Sequence, residues 1–172
     1  VIMWALRWLL FRVEFGAGLV KLRGDRCWRD LTCLDFHHET QPMPNPFSRS
    51  FHRLPSKLHR VEVLANHVTQ LVVVFGLFAP QPIATVAAMI IIVTQGWLML
   101  SGNFAWLNLL TAVLALGALD GRLLAWLLPV GQPIDLSKPA WFGILTAAVA
   151  VGLVALSYQP VRNLLSKRQQ MN

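Results

Sequence analysis

Long apolar blocks are the feature that most constrains the fold of this chain. A helix needs about 20 mainly apolar residues to cross the roughly 30 Å hydrocarbon core of a bilayer. Blocks of nearly that length recur along the sequence, separated by polar residues, Gly or Pro. We expect five spans, at residues 1–22, 62–79, 83–100, 104–119 and 140–158.

The composition supports a membrane protein rather than a soluble domain. Only 13% of the residues are charged and 55% are hydrophobic, whereas soluble domains carry about 25% charged residues. The sequence therefore predicts an all-α fold, a polytopic membrane helical bundle. Its richness in Ala, Leu and Val is typical of a bacterial protein, so we expect the bacterial cell membrane. The apolar start without Met and the polar end predict a single membrane-bundle segment, 1–172, of a longer protein.

The segments between the spans predict further structure. Short links join the second, third and fourth spans, so these helices should be antiparallel neighbours. Residues 122–128 predict a short interfacial helix before Pro129. Residues 23–61 predict a long polar loop, ordered by its Leu, Phe and Trp residues. Basic residues alternate with apolar ones in its second half, which favours a short amphipathic helix on the membrane surface.

The net charge of +7 is compatible with nucleic-acid binding or with basic residues that meet anionic lipid headgroups. Several spans favour the second interpretation. We therefore expect membrane lipids as partners and no nucleic acid.

Polar side chains inside the predicted spans form a second pattern. Such groups are costly in a bilayer and usually face protein or water. They can form an interhelical hydrogen-bond network or line a buried cavity; the network is favoured, and the cavity stays open. The residues concerned are Arg12, Glu14, Asn66, His67, Gln70, Asn103 and Asn108.

Residues 27–46, CWRDLTCLDFHHETQPMPNP, are the densest polar stretch. We expect an ordered cap over the helix ends, with Trp28, Leu31 and Phe36 buried and the acids paired with Arg or Lys. Loss of such a partner at a partly buried charge costs roughly 3–5 kcal/mol, so Asp30→Ala should lower folded yield. The candidate client-binding or structural residues are Cys27, Trp28, Arg29, Asp30, Asp35, His37, His38 and Glu39.

The spacing of Cys27 and Cys33 leaves two states open. A helix over 27–33 would keep their side chains too far apart to bond. A looped conformation permits a disulfide, which requires an oxidising compartment. Two free buried thiols are the alternative.

Chemistry-bearing motifs are sparse. In an extended segment His37 and Glu39 face one way and His38 the other, and no HExxH or CxxC pair accompanies them. We therefore expect no bound metal and no cofactor. A nucleophile–base–acid set is also not visible, which argues against a lipid hydrolase.

One long string identifies a resemblance. FRVEFGAGLVKLRGDRCWRDLTCLDFHHETQPMPNP (11–46), HRVEVLANHVTQLVVVF (59–75), SGNFAWLNLLT (101–111) and LLSKRQQMN (164–172) closely resemble the lipase maturation factor family. The family pattern usually has Met at the position of Glu14, Tyr at those of Phe36 and His38, and Glu at that of Gln70. Relative to this pattern, Gln70 removes an intramembrane acid and Glu14 adds one.

The resemblance implies a polytopic membrane protein that assists the folding and maturation of exported proteins, with lipases as clients. Vertebrate members reside in the endoplasmic reticulum, and members continue beyond the RQxMN stretch into a further domain. The family places the tail after the last span on the lumenal side. This favours an exterior position for 23–61, although the basic charge of that segment favours the cytoplasm.

A shorter likeness offers an enzymatic alternative. FGAGLVKL followed by Trp28 resembles the AGxxKLxxxxW run of vitamin K-dependent γ-carboxylases and their bacterial membrane relatives. There a Lys acts as base in quinone chemistry, and Lys21 is the matching residue. This alternative implies a membrane-embedded quinone- or lipid-linked enzyme; the maturation factor is the favoured interpretation.

Overall fold

The computed structural model describes residues 2–41, 45–102, 106–127 and 139–166, and the regular secondary structure in these ranges is helical. The elements in chain order are α1 (Ile2–Arg23), α2 (Arg26–Arg29), α3 (Leu34–Thr40), α4 (Ser48–His52), α5 (Ser56–Leu71), a 3₁₀ helix (Val73–Phe78), α6 (Ile83–Ser101), α7 (Trp106–Leu116), α8 (Gly121–Leu127) and α9 (Ala140–Leu165). The all-α membrane fold expected from the sequence is confirmed.

Within these described ranges, three helical stretches are long and apolar enough to cross a membrane: Ser56–Phe78, Ile83–Ser101 and Trp141–Asn163. The first joins α5 to the 3₁₀ helix. Helix α7 is apolar but shorter, and α1 is long enough but carries several charged side chains along its length. The five-span arrangement therefore stays a prediction for α1 and α7.

The segment 23–61 differs most from the expectation of a loop. It folds into α2, α3 and α4, and its last residues form the first turns of α5, which begins at Ser56 rather than near residue 62. The predicted amphipathic helix is interrupted at Pro55, which lies just before α5. Helix α9 also continues through Pro160, where the sequence predicted its end.

The core lies where α1, the 3₁₀ helix, α6 and α7 meet. Phe11 stacks on Phe15 with ring centroids 5.1 Å apart, and it meets Phe75 and Phe78 edge-on at 5.1 and 5.3 Å. Small residues on α6 and after α7 allow the helices to approach this aromatic cluster. The buried members of the core are Leu10, Phe11, Val74, Leu77, Ala88, Ile91, Ala115, Ala118 and Leu119.

Polar side chains close the end of the bundle where α6 begins. The Gln81 amide donates to the Ala118 carbonyl at 3.0 Å, and its oxygen accepts from the Thr85 hydroxyl at 2.7 Å. The Thr85 hydroxyl oxygen in turn accepts from the backbone N–H of Asp120 at 2.7 Å. These bonds hold the start of α6 to the residues that follow α7. The other ends of the two helices, the end of α6 and the start of α7, lie toward the polar segment.

Helices α1 and α5 approach closely at Gly18. A Cβ atom at this position would lie 2.7 Å from Leu71 Cδ2 and 3.0 Å from Gln70 Cβ. At Gly16, two residues earlier, a Cβ would meet nothing within 4 Å. A side chain at position 18 would therefore force Leu71 and Gln70 to shift, whereas one at position 16 would not.

We expect Gly18→Ala to lower the thermal unfolding temperature of the detergent-solubilised protein. Overpacking of a tight contact costs about 1–3 kcal/mol. Gly16→Ala is the matched control, and it should leave stability equal or raised, because Ala is about 1 kcal/mol better than Gly within a helix. Equal unfolding temperatures for the two variants would contradict a close α1–α5 contact at Gly18.

Candidate functional site

The polar segment expected to form a cap does pack on the helix ends. We define the cap as α2, α3 and α4 with the described residues that join them, within 26–52. Its helix α3 packs on α5, and α4 packs on α6. The cap thus bridges two of the long apolar helices.

A disulfide holds the first part of the cap. Cys27 and Cys33 are bonded, with Cα atoms 4.8 Å apart. Between them Leu31 adopts a left-handed backbone conformation with φ 59°, and the Thr32 N–H donates to the Cys27 carbonyl at 2.8 Å. The chain therefore turns sharply after α2, so that the looped alternative of the sequence analysis is the one adopted.

Trp28 anchors this turn to α1 and α5. Its carbonyl oxygen lies 3.0 Å from Nε2 of His67 on α5. The Lys21 ammonium of α1 lies 5.3 Å from the centre of the Trp28 ring, within the range of a cation–π contact. His37 of α3 packs edge-on against the same ring at 5.9 Å. Trp28 therefore connects the cap to α1 and α5.

The second part of the cap covers the end of α6. The last carbonyls of a helix have no intrahelical partner, and here the Asn45 amide donates to the Met99 carbonyl at 3.0 Å. The buried Ser48 hydroxyl donates to the Ser101 carbonyl at 3.2 Å. Phe51 of α4 meets the ring of Trp97 edge-on at 5.1 Å. Polar and aromatic contacts thus fix α4 on α6.

Beneath the cap lies a cavity of about 590 Å³. Its wall is mostly apolar, with a few polar groups, which is the usual character of a ligand-binding site. α1, α3, α5, α6 and α7 all contribute. The lining residues are Lys21, Trp28, Leu34, His37, His38, Gln41, Val61, Glu62, Val63, Ala65, Asn66, Val93, Thr94, Trp97, Leu98, Ser101, Gly102 and Asn108.

A polar network lies deeper in the bundle, behind Lys21. The Lys21 ammonium donates to Gln70 Oε1 at 3.0 Å. Glu14 is 1% exposed, and its carboxylate accepts from the amide of Gln95 on α6. Gln70 lies next to the same carboxylate. Glu14 and Gln70 are thus neighbours within this network.

The structure supports both interpretations of the intramembrane polar groups. Glu14 and Gln70 belong to the network, whereas Asn66 and Asn108 line the cavity and His67 holds Trp28. Arg12 is half-buried and makes no side-chain hydrogen bond or ion pair with the part of the chain that is described. Asn103 lies outside the described residues.

Two of the expectations for the cap are wrong in detail. Phe36 is 49% exposed, and Glu39 pairs with His52 at 2.8 Å rather than with Arg or Lys. Asp30 pairs with an Arg as expected, because it lies 3.1 Å from Arg26, but this pair is on the surface. Arg29 is exposed and Asp35 is half-buried.

Histidines gather where α3 meets the first turn of α5. His38 and His59 are buried, with ring centroids 5.8 Å apart. Burial, together with His37, His59 and His52 nearby, lowers the pKa of His38 to about 4. Burial and the charge of Lys21 also lower the pKa of His37. Both rings are therefore neutral near pH 7.

His59 and Glu62 are not among the site residues predicted from the sequence. Their i, i+3 spacing places them on one face of a helix, but the helix was expected to begin near residue 62, after His59, whereas it begins at Ser56. The structure brings both residues beside His38.

The fold and site define a class of protein: an all-helical membrane protein whose disulfide-bonded cap covers a cavity at one end of the bundle. Residues 1–126 match the family described as the lipase maturation factor transmembrane domain. The chain belongs to the lipase maturation factor family. No solved structure matches it.

Curated relatives agree with the family match. The chain is 43% identical over 190 residues to lipase maturation factor 1 of Homo sapiens and 42% identical over 191 residues to that of Bos taurus. Both alignments cover 100% of this chain and 34% of the relative. Lipase maturation factor 2 of Homo sapiens is 39% identical over 125 residues, which is 71% of this chain and 18% of the relative. The chain thus spans about a third of the length of the first two relatives.

We predict that Ser48→Ala destabilises the protein more than Asp30→Ala. Loss of the buried Ser48 hydroxyl leaves the Ser101 carbonyl without this donor, at about 1–3 kcal/mol. The exposed Asp30–Arg26 pair is worth roughly 0.2–1 kcal/mol. Thermal unfolding of the two variants measures the difference. A larger loss of thermal stability in Asp30→Ala than in Ser48→Ala would contradict the exposed position of the Asp30–Arg26 pair.

The disulfide gives a second prediction. Trypsin cleaves after Arg26 and Arg29 and separates Cys27 from Cys33, so the two peptides should remain linked when digestion is done without reductant. Mass spectrometry should find the linked pair, and reduction should release both peptides. Separate, alkylated peptides from unreduced protein would show free thiols instead.

Proposed function

We propose that this chain is the transmembrane part of a factor that assists the maturation of exported lipases. The observation that carries the proposal is the cavity of about 590 Å³ beneath the cap, in a chain of the lipase maturation factor family. The relatives are named for lipase maturation. The cap and its cavity are the part of this chain best suited to hold a client.

The chemistry of the cavity favours an apolar client segment with a polar end. Val61, Val93 and Leu98 supply apolar wall, whereas Asn66 and Asn108 supply amides. The Oδ1 atom of Asn66 is buried without a hydrogen-bond partner among the described residues. Because a buried polar atom without a partner is unfavourable, an N–H or O–H group of a bound segment would stabilise this site.

Lys21 has a structural place in this proposal. Its ammonium contacts Gln70 of α5 and the Trp28 ring of the cap, so it holds α1 against both. Neither the family match nor the curated relatives support a carboxylase-like enzyme that uses Lys21 as a base. Lys21→Met should therefore act through folding of the cap rather than through loss of a chemical step.

We also propose that the protein lies in a bacterial cell membrane, with the cap on the side away from the cytoplasm. The support is the Cys27–Cys33 disulfide, because disulfides persist in oxidising compartments. Exported clients fold in the same compartments. A membrane-impermeant thiol reagent should label Ser50→Cys, an exposed cap residue, in intact cells, and protection until lysis would reverse this orientation.

Filling the cavity tests the proposed function. Ala65 lines the cavity with an exposed side chain, so Ala65→Trp should occupy the cavity without disturbing the core. In cells that lack the full-length gene, this variant should restore less than about a tenth of the specific activity of a secreted lipase, a loss equivalent to about 1.4 kcal/mol. Specific activity is the secreted lipase activity divided by the amount of secreted lipase protein. The amount of each variant in the membrane is measured in parallel.

The matched control is Ala148→Trp, the same change at an exposed position of α9 that does not line this cavity. It should restore full specific activity. Full rescue by Ala65→Trp at normal membrane levels would reject the cavity as the client site. Unchanged lipase activity after gene deletion would reject the proposed function itself.

A further inference from the structure

His38, His59 and Glu62 form a cluster at the edge of the cavity. His38 comes from α3 of the cap, and the other two come from the first turns of α5. One ligand-type atom from each residue lies within 4.8 Å of the others. His37, His38 and Glu39 are neighbours in sequence whose side chains were expected to diverge, so no metal was expected there, but the fold brings His38 to His59 and Glu62 instead.

The spacing of His59 and Glu62 already suits a metal ion. Their Nδ1 and Oε2 atoms are 3.3 Å apart. Zn²⁺ binds such atoms at about 2.0–2.2 Å in a tetrahedral arrangement, which places neighbouring ligand atoms roughly 3.3–3.5 Å apart. These two atoms therefore have the separation of two neighbouring ligands in a tetrahedral zinc site. A small movement of His38 would bring in a third ligand atom.

The surroundings of His59 also suit a metal ligand. Its Nδ1 pairs with the Glu62 carboxylate, and its Nε2 faces the His52 carbonyl oxygen at 3.4 Å. A ligating His commonly donates its second ring N–H to a backbone carbonyl. The Nε2 atom of His59 is placed for that outer contact, which leaves Nδ1 beside Glu62 as the atom that would bind the ion.

His38 supplies an independent observation. It is 5% exposed, and neither ring nitrogen makes a well-formed hydrogen bond among the described residues, although the Ser101 backbone lies nearby. A buried imidazole normally satisfies at least one nitrogen. A ring nitrogen of His38 is therefore available to an ion at the cluster.

We propose that His38, His59 and Glu62 bind a divalent transition-metal ion, with zinc as the best match. Two imidazoles and one carboxylate are ligands that zinc accepts, and three protein ligands leave a fourth position open. His38 and Glu62 both line the cavity, so the open position is within reach of water or an oxygen atom of a bound molecule. The ion would also join α3 of the cap to α5.

The test uses full-length protein purified in detergent, stripped with a chelator and dialysed against Zn²⁺ or Co²⁺. Metal content is measured by mass spectrometry, and Co²⁺ absorption reports the coordination geometry. We expect one equivalent per chain to be lost in His38→Tyr and in Glu62→Gln, with the Kd for Zn²⁺ raised by on the order of 100-fold, since even outer-shell changes cost roughly 10–100-fold. His37→Gln, at the neighbouring position, should keep the metal.

A further variant keeps the test valid if removal of a ligand disturbs folding. His38→Cys replaces one donor with another, so its Co²⁺ complex should gain a sulfur-to-metal charge-transfer band in the near ultraviolet. Full Co²⁺ loading without that band would overturn the proposal. It would also be overturned by a wild-type protein that takes up no metal, or by equal metal content in His38→Tyr, Glu62→Gln and wild type.

Discussion

The end of an apolar helix at a membrane surface is the constraint on which this structure depends. The last carbonyls of α6 have no intrahelical partners and must find donors elsewhere. Asn45 and Ser48 supply donors to Met99 and Ser101, and this fixes α4 over the helix end. The position of the cap is thereby fixed, and the cap covers the cavity.

The same logic holds for the other half of the cap. The disulfide closes a turn whose backbone would otherwise sample many conformations, and the Trp28 carbonyl meets His67 of α5. A covalent link within the cap and polar contacts to the helices together hold one arrangement. Such pre-organisation suits a surface that must bind other molecules, because less ordering is needed upon binding.

Much of this architecture could be predicted from the sequence. Apolar blocks of membrane-crossing length gave the all-helical class, and aromatic residues in 23–61 indicated order. The boundaries could not be predicted as well. Helix α5 begins at Ser56 in a polar stretch because its first turns pack against the cap, and hydropathy alone does not record that packing. Likewise α9 passes through Pro160, although Pro usually ends or bends a helix.

For the site, the sequence by itself determined which groups are available: the Cys pair, Trp28, the His residues and an acid at position 14. Apart from the Cys pair, their partners were decided only by the tertiary structure, because they come from distant parts of the chain. Glu14 meets Gln95 across the bundle, and His38 comes together with His59 and Glu62 of α5. Neighbours in sequence point to different sides of a helix, whereas packing of α3 on α5 selects one face of each.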